Sequence, residues 1–145
     1  MKQDKYTINT YWKYSKKLEN IELINHYEKL YSLRFPIFFK DIIYFSNGGR
    51  PTKNIIRTLE LNEHIFLSWL DLNYWKLENF NYIVSEINNY YKEFFLFPFG
   101  IDPFGNYFCI KFINEEFTIV FFNHENKKIE FISDSLESFL SKLYN

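Results

Sequence analysis

The chain has 145 residues, 17 Lys+Arg against 18 Asp+Glu, and a formal net charge of −1. That length points to one domain that buries a core without a metal or disulfide staple, and the near-neutral charge excludes a whole-protein electrostatic grip on nucleic acid. With 47% hydrophobic and 23% aromatic residues, intrinsic disorder is excluded too.

Residues 1–19 read as a lead-in, irregular or weakly helical, ahead of a single domain over residues 20–145. The lead-in alternates charged, polar and aromatic residues and lacks the apolar core of a signal peptide. No apolar run approaches the ~20 residues of a spanning helix. The lone cysteine, Cys109, cannot form an intramolecular disulfide, which suits a reducing cytoplasm. The expectation is a soluble cytoplasmic protein with no membrane partner. Abundant Ile, Asn, Lys, Phe and Tyr without any alanine also fits an AT-rich coding sequence, so many of the aromatic residues need no functional explanation.

Helical spacing of Leu23, Tyr27 and Leu30 predicts a first helix within residues 20–32. Phe35-Pro36 opens a second, since proline suits a first helical turn, and Asn47-Gly48-Gly49 ends it. Residues 55–61 and 64–72 mix β-branched, aromatic and polar residues and read as strands. The stripe Phe80, Ile83, Val84, Ile87 and Tyr91 predicts a third helix over residues 80–94. Strands follow at 95–97, 107–112, 118–122 and 128–132. The first two are joined by Asp102-Pro103-Phe104-Gly105, with the residue preferences of a type I turn. The last two form a hairpin through Asn123 to Lys127. A closing helix carries Leu136, Phe139, Leu140 and Leu143 on one face, with Asp134 and Glu137 at capping-box spacing. Adjacent strands with short connections give an α+β class: a mostly antiparallel or mixed sheet flanked by helices.

No catalytic, metal or cofactor constellation emerges. A nucleophilic Cys109 would need a base, for which His124 is a candidate, but it lies in the apolar stretch Tyr107-Phe108-Cys109-Ile110, where a thiol packs as a small hydrophobe. His26, His64 and His124 are far apart and form no metal-binding motif, so His124 and Glu125 read as turn supports beside Asp102. Gly48-Gly49-Arg50 follows a helix rather than opening one and lacks a phosphate-loop pattern. The aromatic tract Phe94 to Phe99 contains no Lys or Arg, unlike a single-strand nucleic-acid platform. Its rings read as core, and any exposed aromatics as anchors for a protein partner.

The ordered turns resemble those of the SUKH superfamily. Phe35-Pro36 with Asn47-Gly48-Gly49 is similar to its first signature, and residues 97–109, from Phe97-Pro98-Phe99-Gly100 through Asn106 to Cys109, to its turn-and-strand core. Residues 119–125, ending in Asn123-His124-Glu125, resemble its apolar strand ending in Asp-His-Glu. Lys111-Phe112 stands where members commonly have Asp-Tyr, and Asn123 where they often have Asp, so both departures remove acid.

The resemblance implies a non-enzymatic bacterial immunity protein that neutralises a cognate toxin domain, often a nuclease, by stoichiometric binding. It also leaves open an intracellular scaffold or regulator without a toxin, like the superfamily's eukaryotic cell-wall regulator. Either would be a monomer or homodimer, with no direct nucleic-acid contact. Candidate partner contacts are Glu60, Glu63, Asp71, Glu78, Asp102, Glu115, Glu116 and Glu125, which flank the strands and loops. Pro36, Asn47, Gly48, Gly49, Pro98, Gly100, Pro103, Gly105, Asn106, Cys109 and His124 are expected to shape the fold.

Overall fold

A computed structural model describes residues 12–74 and 77–145. Nine strands and four helices follow in chain order among them. β1 (Trp12–Lys13) precedes α1 (Leu23–Tyr31) and α2 (Ile37–Ser46). β2 (Arg50–Pro51), β3 (Ile55–Arg57), β4 (Glu63–Ile65) and β5 (Ser68–Trp69) lead to α3 (Leu77–Asn88). β6 (Phe95–Ile101), β7 (Tyr107–Ile113), β8 (Glu116–Phe122) and β9 (Ile129–Ser133) then form successive hairpins before α4 (Leu136–Ser141). The main sheet has the order β5-β6-β7-β8-β9, while β1–β2 and β3–β4 are separate pairs. Every strand pair among the described residues is antiparallel, as the α+β expectation favoured.

Alternate residues of β7 and β8 point to opposite faces of the sheet. Phe108, Ile110, Ile119 and Phe121 join the larger core with Tyr27 of α1, Phe39 of α2 and Phe139 of α4. Cys109, Val120 and Phe122 join a smaller cluster with Leu96 and with Ile87 of α3. The aromatic surplus is spent mainly inside: Phe66 packs against Trp69, Phe99, Phe108 and Phe139 with ring centroids 5.6, 6.0, 5.2 and 5.2 Å away.

Several elements depart from their expected form. Residues 1–11 of the lead-in lie outside the described residues, but Trp12–Lys13 is a strand paired to Arg50–Pro51, and Leu18 is buried in the larger core. Pro36 stands at the cap just before α2 rather than inside its first turn. Asn47-Gly48 ends that helix as expected, with Gly48 in the left-handed region at φ +71°. The span 55–61 stops pairing at Arg57 because the chain turns back, and 64–72 is broken because it leaves one sheet for another. There Phe66 N–H donates to Asn54 O at 2.7 Å and Leu67 N–H to Ile101 O at 2.8 Å.

β6 runs to Ile101, well past the expected end at 97. Leu96 turns its N–H and C=O away from β7, and Pro98, two residues on, faces the same side. No strand among the described residues pairs there, so the missing proline N–H costs no ladder bond. Helix α3 ends at Asn88, six residues earlier than expected. The Asn88 amide donates to both Val84 O and Leu96 O, while Tyr91 and Phe94 pack on the smaller cluster from the turn beyond. Ser135, not Asp134, caps α4 by accepting the Ser138 N–H at 3.1 Å.

Candidate interaction surfaces

The fold-signature residues of the sheet converge at one of its ends. Asp102 begins the β6–β7 turn, and its buried carboxylate accepts the N–H groups of Phe104 and Asn106 and the Asn106 side-chain amide, at 2.9, 2.8 and 2.8 Å. Asn106 Oδ1 in turn accepts the His124 N–H at 3.0 Å. His124 Nε2 lies 3.0 Å from Phe104 O, and because a carbonyl only accepts, that nitrogen carries the proton. Asp102, Asn106 and His124 therefore lock the β6–β7 turn to the β8–β9 connection. Pro103 and Gly105 complete the turn, Gly105 with a left-handed φ of +88°. Cys109 lies three residues beyond Asn106 in the chain, fully buried, and burial pushes its thiol up from its ordinary range. It is a packing residue in the smaller cluster, not an exposed thiolate.

At the other edge of the sheet, a half-buried carboxylate organises the β3–β4 hairpin. Glu130 on β9 points to the larger-core face and is covered by three side chains of that hairpin. Thr58 Oγ1 donates to Oε2 at 2.5 Å, Asn62 Nδ2 to Oε2 at 3.0 Å, and His64 Nε2 to Oε1 at 2.7 Å. Burial raises the Glu130 pKa, but hydrogen bonds from His64, Thr58 and Asn62 outweigh it and hold the carboxyl below its ordinary range. The His64 imidazole stacks on Phe121 with centroids 3.7 Å apart. On the far side of β3, Ile55 and Tyr144 exchange backbone hydrogen bonds of 2.9 Å, tying the hairpin to the C-terminal segment.

Two concave areas adjoin this frame. A cleft of about 760 Å³ beside β5 is lined by Tyr14, Arg50, Trp69, Asp71 and Tyr107, among others, and mixes both signs of charge. A smaller depression of about 210 Å³ lies against α3, where exposed Tyr82 and Tyr90 meet His124 and Lys127. The Lys127 ammonium sits 5.2 Å from the Tyr90 ring centre, a cation–π contact. Among the described residues no group of three or more His, Cys, Asp and Glu is placed to hold a metal ion. No helix there is long and apolar enough to cross a membrane.

The eight carboxylates read as partner contacts do not form one surface. Glu60 and Glu63 share the β3–β4 hairpin, where Glu63 is paired to Arg57 at 2.8 Å. Glu115 and Glu116 share the β7–β8 turn, at the sheet end opposite Asp102 and Glu125. Glu78 is exposed in the first turn of α3. Asp71 Oδ1 accepts the Asn47 amide at 2.9 Å and the Asn73 N–H at 3.0 Å, so it supports the turn after α2. Asp102 is buried in its own turn. Exposed Leu59 and Leu61 escaped the sequence reading, because no Gly or Pro marks 58–62 as a turn and alternation there mimics a strand.

A helix-flanked antiparallel sheet whose turns are locked by Asp102, Asn106 and His124 defines an α+β domain of SUKH type. The chain belongs to the SMI1 / KNR4 family (SUKH-1), which it matches over residues 20–142. That family consists in general of non-catalytic immunity and regulatory proteins that act through other proteins. No curated protein and no solved structure matches the chain.

Proposed function

We propose that this chain is a cytoplasmic immunity protein that binds a cognate toxin domain in a stoichiometric complex and blocks its activity without chemistry of its own. The family match over residues 20–142 is the observation that carries this reading. A nuclease is the toxin class that the superfamily resemblance implies. The surface supports a binding role: Glu60, Glu78, Glu115, Glu116 and Glu125 are exposed, and such charges speed encounter with a basic partner more than they add affinity. Large apolar side chains exposed beside some of them offer anchors. Asp71 and Asp102 shape turns, and Glu63 enters only together with its Arg57 partner.

The reading predicts a toxin domain encoded beside this gene, and the test is titration of that purified domain. Toxin activity should fall linearly with added protein and vanish at one equivalent. Full activity at several equivalents overturns the reading and leaves the family's regulatory or scaffold role as the better account.

A further inference from the structure

The tip of the β3–β4 hairpin is a built protrusion. Thr58 N–H donates to Asn62 O at 2.8 Å and Leu61 N–H to Thr58 O at 2.9 Å, enclosing the three-residue loop Leu59-Glu60-Leu61. In loops of this length the last residue adopts a left-handed conformation that favours glycine. Here that residue is Leu61, at φ +66°. Leu61 is 77% exposed and Leu59 84%, so neither leucine repays its place by packing in the core. The loop is nonetheless held from below, because Thr58 and Asn62 both donate to the half-buried Glu130 carboxylate.

Charge at the tip is one-sided. Glu63 is neutralised by Arg57, whereas Glu60, between the two leucines, is exposed and has no ion pair among the described residues. Two apolar knobs flanking one uncompensated carboxylate on a rigid turn match a pocket that is apolar within and basic at its rim. Because the loop is fixed before binding, little conformational freedom is lost on docking.

We infer that Leu59-Glu60-Leu61, braced by Glu130, is the anchor by which this protein docks into an apolar, basic-rimmed pocket of its toxin partner. The inference rests on the immunity reading above and adds to it the surface used. Leu61 provides an unusually clean probe, since Leu61→Gly relieves the left-handed strain while deleting the knob.

The experiment measures binding of the co-encoded toxin domain to the full chain and to Leu59→Ser, Leu61→Gly, the double variant, Glu60→Lys and a Tyr82→Ser/Tyr90→Ser control, with thermal melts of each. The expected result is weakening of roughly tenfold or more for each leucine variant, a larger loss in the double variant, and slower association for Glu60→Lys, with melting preserved. The tyrosine control should bind like the parent. Parent binding with all leucine variants within twofold overturns the hairpin as anchor and leaves immunity standing. Loss confined to the tyrosine control likewise overturns it and moves the interface to α3. Absence of binding by the parent overturns the immunity reading, and this proposal with it.

Discussion

The side chain of Asn88 pairs with the backbone of Leu96 as a strand would: its Nδ2 donates to Leu96 O at 2.8 Å, and its Oδ1 accepts the Leu96 N–H at 2.7 Å. β5 reaches only Gly100 and Ile101 of β6, so the rest of that edge has no strand partner among the described residues. One amide at the end of α3 closes it at Leu96 and also accounts for where the helix stops.

Replacing Asn88 by Ala should therefore act on the sheet, not only on the helix. It leaves a buried N–H and C=O unpaired, at a cost of about 1–3 kcal/mol, and reopens an edge that can pair with another chain. Urea denaturation should show the lowered stability, and light scattering a concentration-dependent association absent from the parent. Unchanged stability and scattering would show that Leu96 finds equivalent partners without Asn88.

Glu130 gives the fold an acid-sensitive joint. Its carboxyl is held below the ordinary value of 4.5, despite burial, by hydrogen bonds from His64, Thr58 and Asn62. A group whose pKa is lower in the folded state contributes stability above its unfolded pKa and loses it as pH falls through the folded value. At neutral pH Glu130→Gln should cost about 1–3 kcal/mol. The gap between parent and variant should narrow as pH drops below about 4.5, and it should not narrow between neutral pH and 5. Unfolding curves across that range check both statements; a gap constant down to pH 3 would contradict them.

Gly100 is required by crowding rather than by an unusual backbone conformation. A Cβ there would lie 2.1 Å from Phe66 Cε1, at the ring that contacts Trp69, Phe99, Phe108 and Phe139. Gly100→Ala must push that ring aside, costing about 1–3 kcal/mol in an overpacked core. Near-ultraviolet circular dichroism should change along with the loss of stability, because tryptophan and phenylalanine packing moves. A variant with parental stability and spectrum would mean the ring relocates freely.

Much of the architecture was legible because local signals agreed. β7 and β8 show long apolar stretches between plain turn residues, and Asp102-Pro103-Phe104-Gly105 sits where a turn must be. The two early helices announced themselves by spacing and by Asn47-Gly48. What escaped notice depends on contacts distant in sequence or on local competition for hydrogen bonds. The strand expected to end at 97 runs on through Pro98 and Gly100, because no strand among the described residues pairs with β6 at Pro98 and because the Phe66 ring fills the space a Cβ on Gly100 would need. Asp134 has the spacing of a cap, but Ser135 reaches the Ser138 N–H. Leu59 and Leu61 continue an alternating pattern past a turn that only Thr58, Asn62 and the distant Glu130 define. The turn signature with His124 was visible in sequence, whereas the dispersal of the carboxylates over separate loops was not.

The buried turn network also has a direct consequence. Asp102→Ala deprives the Asn106 N–H and amide of their acceptors, at about 1–3 kcal/mol for each buried donor left unpaired. Proton spectra should then show the 123–127 connection shifted as well, because Asn106 Oδ1 holds the His124 N–H. Shifts confined to residues 102–106 would contradict the coupling.

The most direct test of the central claim is survival of cells that express the toxin domain that the immunity reading predicts beside this gene. With this protein co-expressed, growth should be restored, and the two chains should co-purify in equal amounts. If the cells die equally with and without it, although it is present in soluble and folded form, direct immunity is wrong.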